Sequence, residues 1–239
     1  MNKTVLILGG TGGIGAHFVR QFAEAGWNVV FTYLGNKNEA VRLEEKYKVK
    51  GWHIDATEEK EIQTLIAQVR TDYLRLDALI YAIGIFEDAL TEKMELESWN
   101  KILSVNLSGA FLVTKHALPL LRESGCGRIL YIGSVMGESG CYGSSSYSVT
   151  KAGLIALAKS VALENAKKNV TANVLSFGYI DTGMTAQVPD NILESAMKKI
   201  PMRRLGDPSD MAKIAVDLCS EHMNYLSGQT IRVNGGLYV

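Results

Sequence analysis

The chain has 239 residues, 47% of them apolar and 21% charged, a balance that excludes a disordered chain and supplies enough apolar surface for a sizeable core. Lysines plus arginines number 25 and aspartates plus glutamates 25, so the charge favours neither nucleic acid nor an anionic membrane as partner. The three cysteines, Cys126, Cys141 and Cys219, form neither a CxxC pair nor a zinc spacing, which argues against a disulfide framework or a metal site and fits a cytoplasmic protein. The apolar run after Lys3 meets Gly9-Gly10 too soon for a secretory signal, and no stretch approaches the ~18 apolar residues of a membrane span.

In chain order, Val5–Leu8 reads as a buried strand, and Gly13–Ala25 follows with Ile14, Phe18, Phe22 and Ala25 near helical spacing. Val29–Tyr33, rich in β-branched and aromatic residues, is a second strand. Glu39–Tyr47 reads as a charged helix, Lys50–Ile54 as a short strand, and Glu58–Arg70 as a helix with Ile62, Leu65, Ile66 and Val69 on one face. Ala78–Ile83 is the next strand, Trp99–Leu121 one long helix, Arg128–Ile132 a strand, Tyr147–Ala166 a helix and Val170–Ser176 a strand. Ile192–Lys199 and Asp210–Ser220 read as helices, and Gln229–Val233 as a last strand. The alternation predicts an α/β fold: a Rossmann-like, doubly wound parallel sheet of about seven strands with helices on both faces. No Pro/Ser-rich linker or repeat divides the chain, and Pro119, Pro189, Pro201 and Pro208 fall at expected helix edges or in loops. Residues 1–239 are therefore expected to form one domain.

Between the first strand and the first helix lies a glycine-rich turn in which Gly9, Thr11, Gly12, Gly13, Ile14 and Gly15 are candidate cofactor contacts. Glycine permits positive φ and lets a ligand approach the main chain, while the helix N-terminus presents free N–H groups to a phosphate. Strand–turn–helix is the context a pyrophosphate cradle needs; an ordinary glycine-rich turn is the alternative. Farther on, Tyr147 and Lys151 stand four residues apart, on one face of the expected helix. A nearby ammonium favours the phenolate and lowers the tyrosine pKa from its usual ~10, so the pair can give a proton in reduction and take one in oxidation. An exposed helix pair is the plain alternative. Ser134 precedes Tyr147 by thirteen residues. The intervening Gly137–Ser146, a flexible loop by composition, can bring the Ser134 hydroxyl beside the phenol at the carboxyl end of the sheet, aimed at a substrate carbonyl. Ser144, Ser145 and Ser146 are competing hydroxyls.

Together these motifs resemble the short-chain dehydrogenase/reductase family over nearly the whole chain. Its TGxxxGxG pattern is matched by Leu8-Gly9-x-x-x-Gly13-x-Gly15, with Leu8 in place of Thr, so that hydroxyl's hydrogen bonding is missing. The resemblance implies Ser134, Tyr147 and Lys151 as a catalytic triad and Asn106 as a fourth catalytic residue, holding a water that links Lys151 to solvent. The alternative for Asn106 is that it distorts or caps the long helix. The resemblance also assigns Lys151 to the nicotinamide ribose, Asp55 and Ala56 to adenine, Ala82 and Gly84 to cofactor ribose, and Ile180 and Thr182 to the nicotinamide carboxamide. Tyr81-Ala82-Ile83-Gly84 stands where the family has Asn-Asn-Ala-Gly, so both asparagine tethers are missing, and Phe177 replaces the usual Pro.

An acid at the end of the second strand would bind the 2′-OH of NAD. Tyr33-Leu34-Gly35-Asn36-Lys37 contains none, and Asn36 and Lys37 can approach a 2′-phosphate, which favours NADP(H) over NAD(H); a solvated charge at the start of the next helix is the alternative for Lys37. The segment of about 179–208 is expected to be a substrate lid. Its apolar stripe of Ile192, Leu193, Ala196, Met197 and Ile200 serves an acyl pocket or plain packing. Ile200–Pro208 and Gly228–Tyr238 are similar to the bacterial 3-oxoacyl-[acyl-carrier-protein] reductases of this family. That implies reduction of a β-ketoacyl thioester with the proton from Tyr147. It also implies an acidic acyl carrier protein docking on Arg128, Lys167, Lys168, Arg203 and Arg204, unless these are ordinary surface charge. A homotetramer or homodimer built through the two long helices and the last strand is implied as well. A reductase or dehydrogenase of a free ketone, alcohol or sugar and a non-catalytic cofactor sensor are the competing readings.

Overall fold

The strands are β1 (Thr4–Leu8), β2 (Asn28–Tyr33), β3 (Lys50–His53), β4 (Ala78–Tyr81), β5 (Arg128–Ser134), β6 (Thr171–Phe177) and β7 (Thr230–Val233). They belong to a computed structural model that describes residues 2–183 and 185–239. All pair in parallel in one sheet of order β3-β2-β1-β4-β5-β6-β7. The chain runs outward from β1 to β3, crosses back to β4 beside β1, and runs outward again. The direction reverses between β1 and β4, and the crevice at their carboxyl ends is where open α/β sheets bind ligands.

The helices are α1 (Gly15–Glu24), α2 (Lys37–Tyr47), α3 (Glu59–Tyr73), α4 (Leu96–Leu103), α5 (Gly109–Glu123), α6 (Met136–Ser139), α7 (Ser145–Asn165), α8 (Asp190–Lys199) and α9 (Pro208–Leu218). Alternation along the strands divides the core into two layers. Val5, Ile7, Val29, Phe31 and Ile80 meet α1, α2 and α9 on one face. Leu6, Leu8, Val30, Leu79 and Tyr81 meet α3, α5 and α7 on the other. This is the expected single-domain, Rossmann-like architecture with both faces covered. No helix among the described residues is long and apolar enough to cross a membrane.

Local structure departs from the sequence-based expectation in four places. The expected helix Trp99–Leu121 is interrupted: α4 widens into a π turn over Ser104–Ser108 before α5 begins, and the Gly109 N–H bonds Ser104 O. Pro119 lies inside α5, near its end, where the N–H it lacks removes one helical bond without stopping the helix short of Glu123. Gly137–Ser146 is only partly loop. α6 occupies its start, with Ser139 Oγ donating to Val135 O at 3.0 Å. The Glu138 carboxylate there accepts from Ser176 Oγ at 2.6 Å and Arg232 Nε at 2.8 Å, and Ser145 already belongs to α7. Finally, Arg128 is no docking residue: it is 2% exposed at the start of β5, and its guanidinium donates to Gly127 O at 3.0 Å and Asn169 O at 3.4 Å. Lys167 and Lys168 precede β6, so they also lie at the amino end of the strands, away from the crevice. Arg203 and Arg204 are exposed beyond α8.

Candidate active site

β1 delivers the chain into the glycine turn. Gly9 has φ +84°, in the left-handed region, and a Cβ on Gly15 would stand 2.0 Å from Gly9 O. Only glycine lets α1 start this close to the strand it follows. Leu8 is fully buried in the core, and the hydroxyl missing at that position comes from across the sheet. Thr32 Oγ1 accepts from the Gly9 N–H at 3.2 Å, and Thr32 O from the Gly10 N–H at 2.8 Å. Gly15→Ala is therefore expected to force the turn apart and weaken dinucleotide binding by at least about 100-fold, through the loss of aligned N–H groups. A fluorescence titration with NADPH checks this.

A groove runs from the turn along the carboxyl edge of the sheet. One half, with a volume of about 470 Å³, is lined by Gly9, Thr11, Gly12, Tyr33, Asp55, Ala56, Ile83 and Gly84, with Lys101, Ser104 and Val105 from α4 and the π turn. The other, about 180 Å³, is lined by Gly12, Gly13, Ile14, Ala82, Gly84, Ser134, Tyr147, Lys151, Ile180 and Thr182. Gly12, Ala82 and Gly84 border both halves. Asp55 is shaped by its own turn, its Oδ1 accepting from the Thr57 N–H at 2.9 Å and Oγ1 at 2.7 Å. Asn36 and Lys37 lie past the groove's lining. Asn36 Oδ1 caps α2 by accepting from the Glu39 N–H at 3.2 Å, and Lys37 is exposed as the first residue of that helix. A nicotinamide dinucleotide fits these residues: two connected chambers meet at the bare backbone of Gly12 and Gly84, beside the N–H groups that open α1.

At the far end of the groove the catalytic candidates converge. Ser134 is the last residue of β5, and its Oγ accepts from the Met136 N–H at 3.2 Å. It lines the same chamber as Tyr147. Tyr147 sits in the first turn of α7 and Lys151 one turn later. The lysine is 3% exposed; its Nζ lies 5.3 Å from the Tyr147 ring centre and donates to Ile132 O at 2.7 Å. Burial pushes the Tyr147 phenol up to about 12, opposed by the neighbouring Ser134 hydroxyl, and pushes Lys151 down to about 8. The expected lowering of the phenol by its ammonium neighbour is thus not what this structure shows. Burial penalises both charged forms, and the lysine is turned to a backbone carbonyl. At neutral pH the phenol keeps its proton, the form a proton donor needs.

Asn106 is fully buried in the π turn. Its Oδ1 accepts from the Ile85 N–H at 2.8 Å, and its Nδ2 donates to Ile85 O at 2.8 Å and Thr150 Oγ1 at 3.2 Å. It therefore sits on a helix distortion and also ties the β4–α4 loop to α7 beside Lys151. Sequence reasoning missed Thr150, Thr32, Lys101, Ser104 and Val105. The signal for the last three was their place within two turns of Asn106.

Beyond Ser134 and Tyr147 opens a cleft of about 260 Å³ with Phe86, Met136, Tyr142, Tyr179, Val188 and Ile192 in its walls. Phe86 meets the Tyr147 ring edge-on, with centres 6.3 Å apart. The apolar stripe of the expected lid is divided. Ile192 faces the cleft, Ala196 and Ile200 are core, and Leu193 and Met197 line a separate groove. Met184, within the lid segment, lies outside the described residues.

A family model described as enoyl-(acyl carrier protein) reductase matches residues 9–238. The chain is similar to a 3-oxoacyl-[acyl-carrier-protein] reductase of Staphylococcus epidermidis, 34% identical with all of both chains covered. It is 37% identical to one of Aquifex aeolicus, covering 99% of this chain and 97% of that one. An acetoacetyl-CoA reductase of Rhizobium meliloti is 36% identical over all of this chain and 99% of its own.

Proposed function

Because the chain belongs to the short-chain dehydrogenase/reductase family and is an oxidoreductase, we propose that it reduces a β-ketoacyl thioester to the 3-hydroxyacyl thioester with NADPH. The observation that carries this reading is the convergence of Ser134, Tyr147 and Lys151 where the dinucleotide groove opens into an apolar cleft.

Bound in the groove, the nicotinamide would supply the hydride. The rest of the chemistry belongs to this chain. The Ser134 hydroxyl donates to the substrate carbonyl and stabilises the charge that develops on its oxygen. The Tyr147 hydroxyl gives its proton to that oxygen. Lys151 holds the nicotinamide ribose and, when charged, favours the phenolate left behind. Asn106 keeps the π turn and α7 in register, and the water that renews the proton is held there. Ile180 and Thr182 bound the carboxamide, while Asp55 and Ala56 border adenine.

The preference for NADPH is supported by the end of β2. The nearest carboxylate beyond it, Glu39, is spent on Arg42 at 2.6 Å. Lys37 and the N-terminus of α2 offer a 2′-phosphate positive charge. The names of the relatives favour an acyl thioester on a carrier protein or coenzyme A. Arg203 and Arg204, with Lys198 and Lys199 at the end of α8, form the basic surface left for an acidic carrier. Exposed Phe111 on α5 and Val149 and Leu163 on α7 suit a homotetramer or homodimer packed through those helices. Three free thiols suit the cytoplasm.

The test is cofactor oxidation with acetoacetyl thioester, in parallel with NADPH and NADH, against crotonyl thioester as the enoyl alternative. NADPH oxidation on the keto substrate, at least about tenfold faster than on the enoyl one or with NADH, is the expected result. Oxidation on the crotonyl substrate alone would replace the keto reading. Turnover only of simple ketones, alcohols or sugars would move the substrate to the free-carbonyl class.

A further inference from the structure

We propose that Tyr81 is a positioning residue: its hydroxyl latches the π turn that carries Asn106 and the adenosine-side wall of the groove. The proposal rests on reading the groove as the dinucleotide site. It concerns a residue that stands where the family has an asparagine.

In an uninterrupted α-helix the Gly109 N–H would bond the carbonyl four residues back, that of Val105. In the π turn it reaches Ser104 O instead, so Val105 O loses its helical donor. Left unpaired, a buried carbonyl is costly. The Tyr81 hydroxyl donates to it.

Tyr81 ends β4 and is fully buried. Burial, with the nearby Asp55 charge, raises its pKa well above the ordinary value, so it remains a neutral donor throughout the working pH range. The contact is built on both sides. A Cβ on Gly109 would stand 2.5 Å from the Tyr81 hydroxyl and 3.0 Å from Ala56 O, so glycine at 109 makes the space the phenol fills. The phenol thus sits between the adenine-side loop and the π turn.

What is latched matters to the site. Ser104 and Val105 wall the adenosine half of the groove. Asn106, the next residue, binds both backbone groups of Ile85 and the Thr150 hydroxyl. Thr150 in turn donates to Tyr147 O at 2.8 Å and precedes Lys151. One phenol therefore holds in register the cofactor wall and the buried amide that braces the catalytic helix. The second missing asparagine has no such replacement, because Ala82, just past the end of β4, carries no polar side-chain group.

The test compares Tyr81→Phe with Val113→Ala, a core truncation on α5 away from the groove. Tyr81→Phe is expected to raise the NADPH Kd about fivefold or more and lower kcat about tenfold or more, with little change in the KM for the keto substrate. The amide of Ile85, which donates to Asn106, is expected to exchange with solvent at least about tenfold faster, while that of Leu130 in β5 keeps its protection. Val113→Ala, matched for loss of melting temperature, is expected to move none of these. Gly109→Ala, which drives the phenol out by its Cβ, is expected to reproduce the Tyr81→Phe pattern. It supplies the test if Tyr81→Phe does not fold. Unchanged Ile85 exchange and NADPH Kd in a folded variant would overturn the latch, as would equal changes in Val113→Ala. A wild-type protein that binds no NADPH would instead remove the cofactor reading, and Ile85 exchange would still decide whether Tyr81 holds the turn.

Discussion

Tyr147→Phe is expected to lower kcat by about 10³-fold while leaving the NADPH Kd within about threefold. A positioned general acid contributes ~10²–10⁴-fold, and no other group stands ready to replace this one. The Lys151 ammonium is turned to Ile132 O. The Ser134 hydroxyl, proposed as the donor to the carbonyl, has no acid strength near neutrality. The variant keeps the ring, and with it the edge-on contact with Phe86, so the helix start and the groove stay in place. Steady-state kinetics with a parallel fluorescence titration read both quantities. A kcat within tenfold of wild type would remove Tyr147 as the proton donor.

Lys151→Met is expected to lower kcat/KM by at least about 100-fold and, at pH 7, to make the protein more stable. The ammonium is buried and its pKa falls from 10.5 to about 8. At ~1.4 kcal/mol per pKa unit, holding that charge destabilises the fold by about 3 kcal/mol. A methionine removes the charge and strands the Ile132 carbonyl, which returns about 1 kcal/mol. The net gain is about 2 kcal/mol, or roughly 4–8 °C in Tm for a chain of this size. The sign of the pH dependence follows from linkage. Below pH 8 both folded and unfolded chains carry the proton and the penalty is complete. Between 8 and 10.5 only the unfolded chain carries it, so wild-type stability rises with pH and the advantage of Lys151→Met shrinks. Over the same range the wild-type kcat/KM falls as Lys151 loses the charge that supports the phenolate. Thermal melts at pH 7 and pH 10 check the first statement and a pH–rate profile the second. A variant less stable than wild type at pH 7 would show that the charge is compensated in the fold.

Much of this was legible from residue pattern alone. Val5–Leu8 and Ala78–Tyr81 are continuous apolar runs because both faces of a parallel strand are covered, and they pair side by side at the crevice. Gly9, Gly13 and Gly15 marked the tight strand-to-helix turn, where an added Cβ meets strain or a clash, and the Tyr147–Lys151 spacing placed both groups one helical turn apart. What the pattern hid was anything depending on a partner distant in sequence. Thr32 replaces a hydroxyl missing at Leu8 from another strand, and Arg128 reads as a surface cation until Asn169 and Gly127 enclose it. Asn106 hinted at a distortion of the long helix, but its partners, the backbone of Ile85 and the Tyr81 hydroxyl on the neighbouring Val105 carbonyl, lie outside that helix and were not legible. The phenol pKa went the other way from the spacing argument because proximity says nothing of burial.

The most direct test of the central claim is transfer of deuterium from the reduced carbon of labelled NADPH to acetoacetyl thioester, read by mass spectrometry and NMR of the product. The account predicts a 3-hydroxybutyryl thioester with one deuterium on C3, and slower labelling from deuterated NADH. An untouched ketone, together with deuterium in a saturated product when crotonyl thioester is supplied, would contradict it.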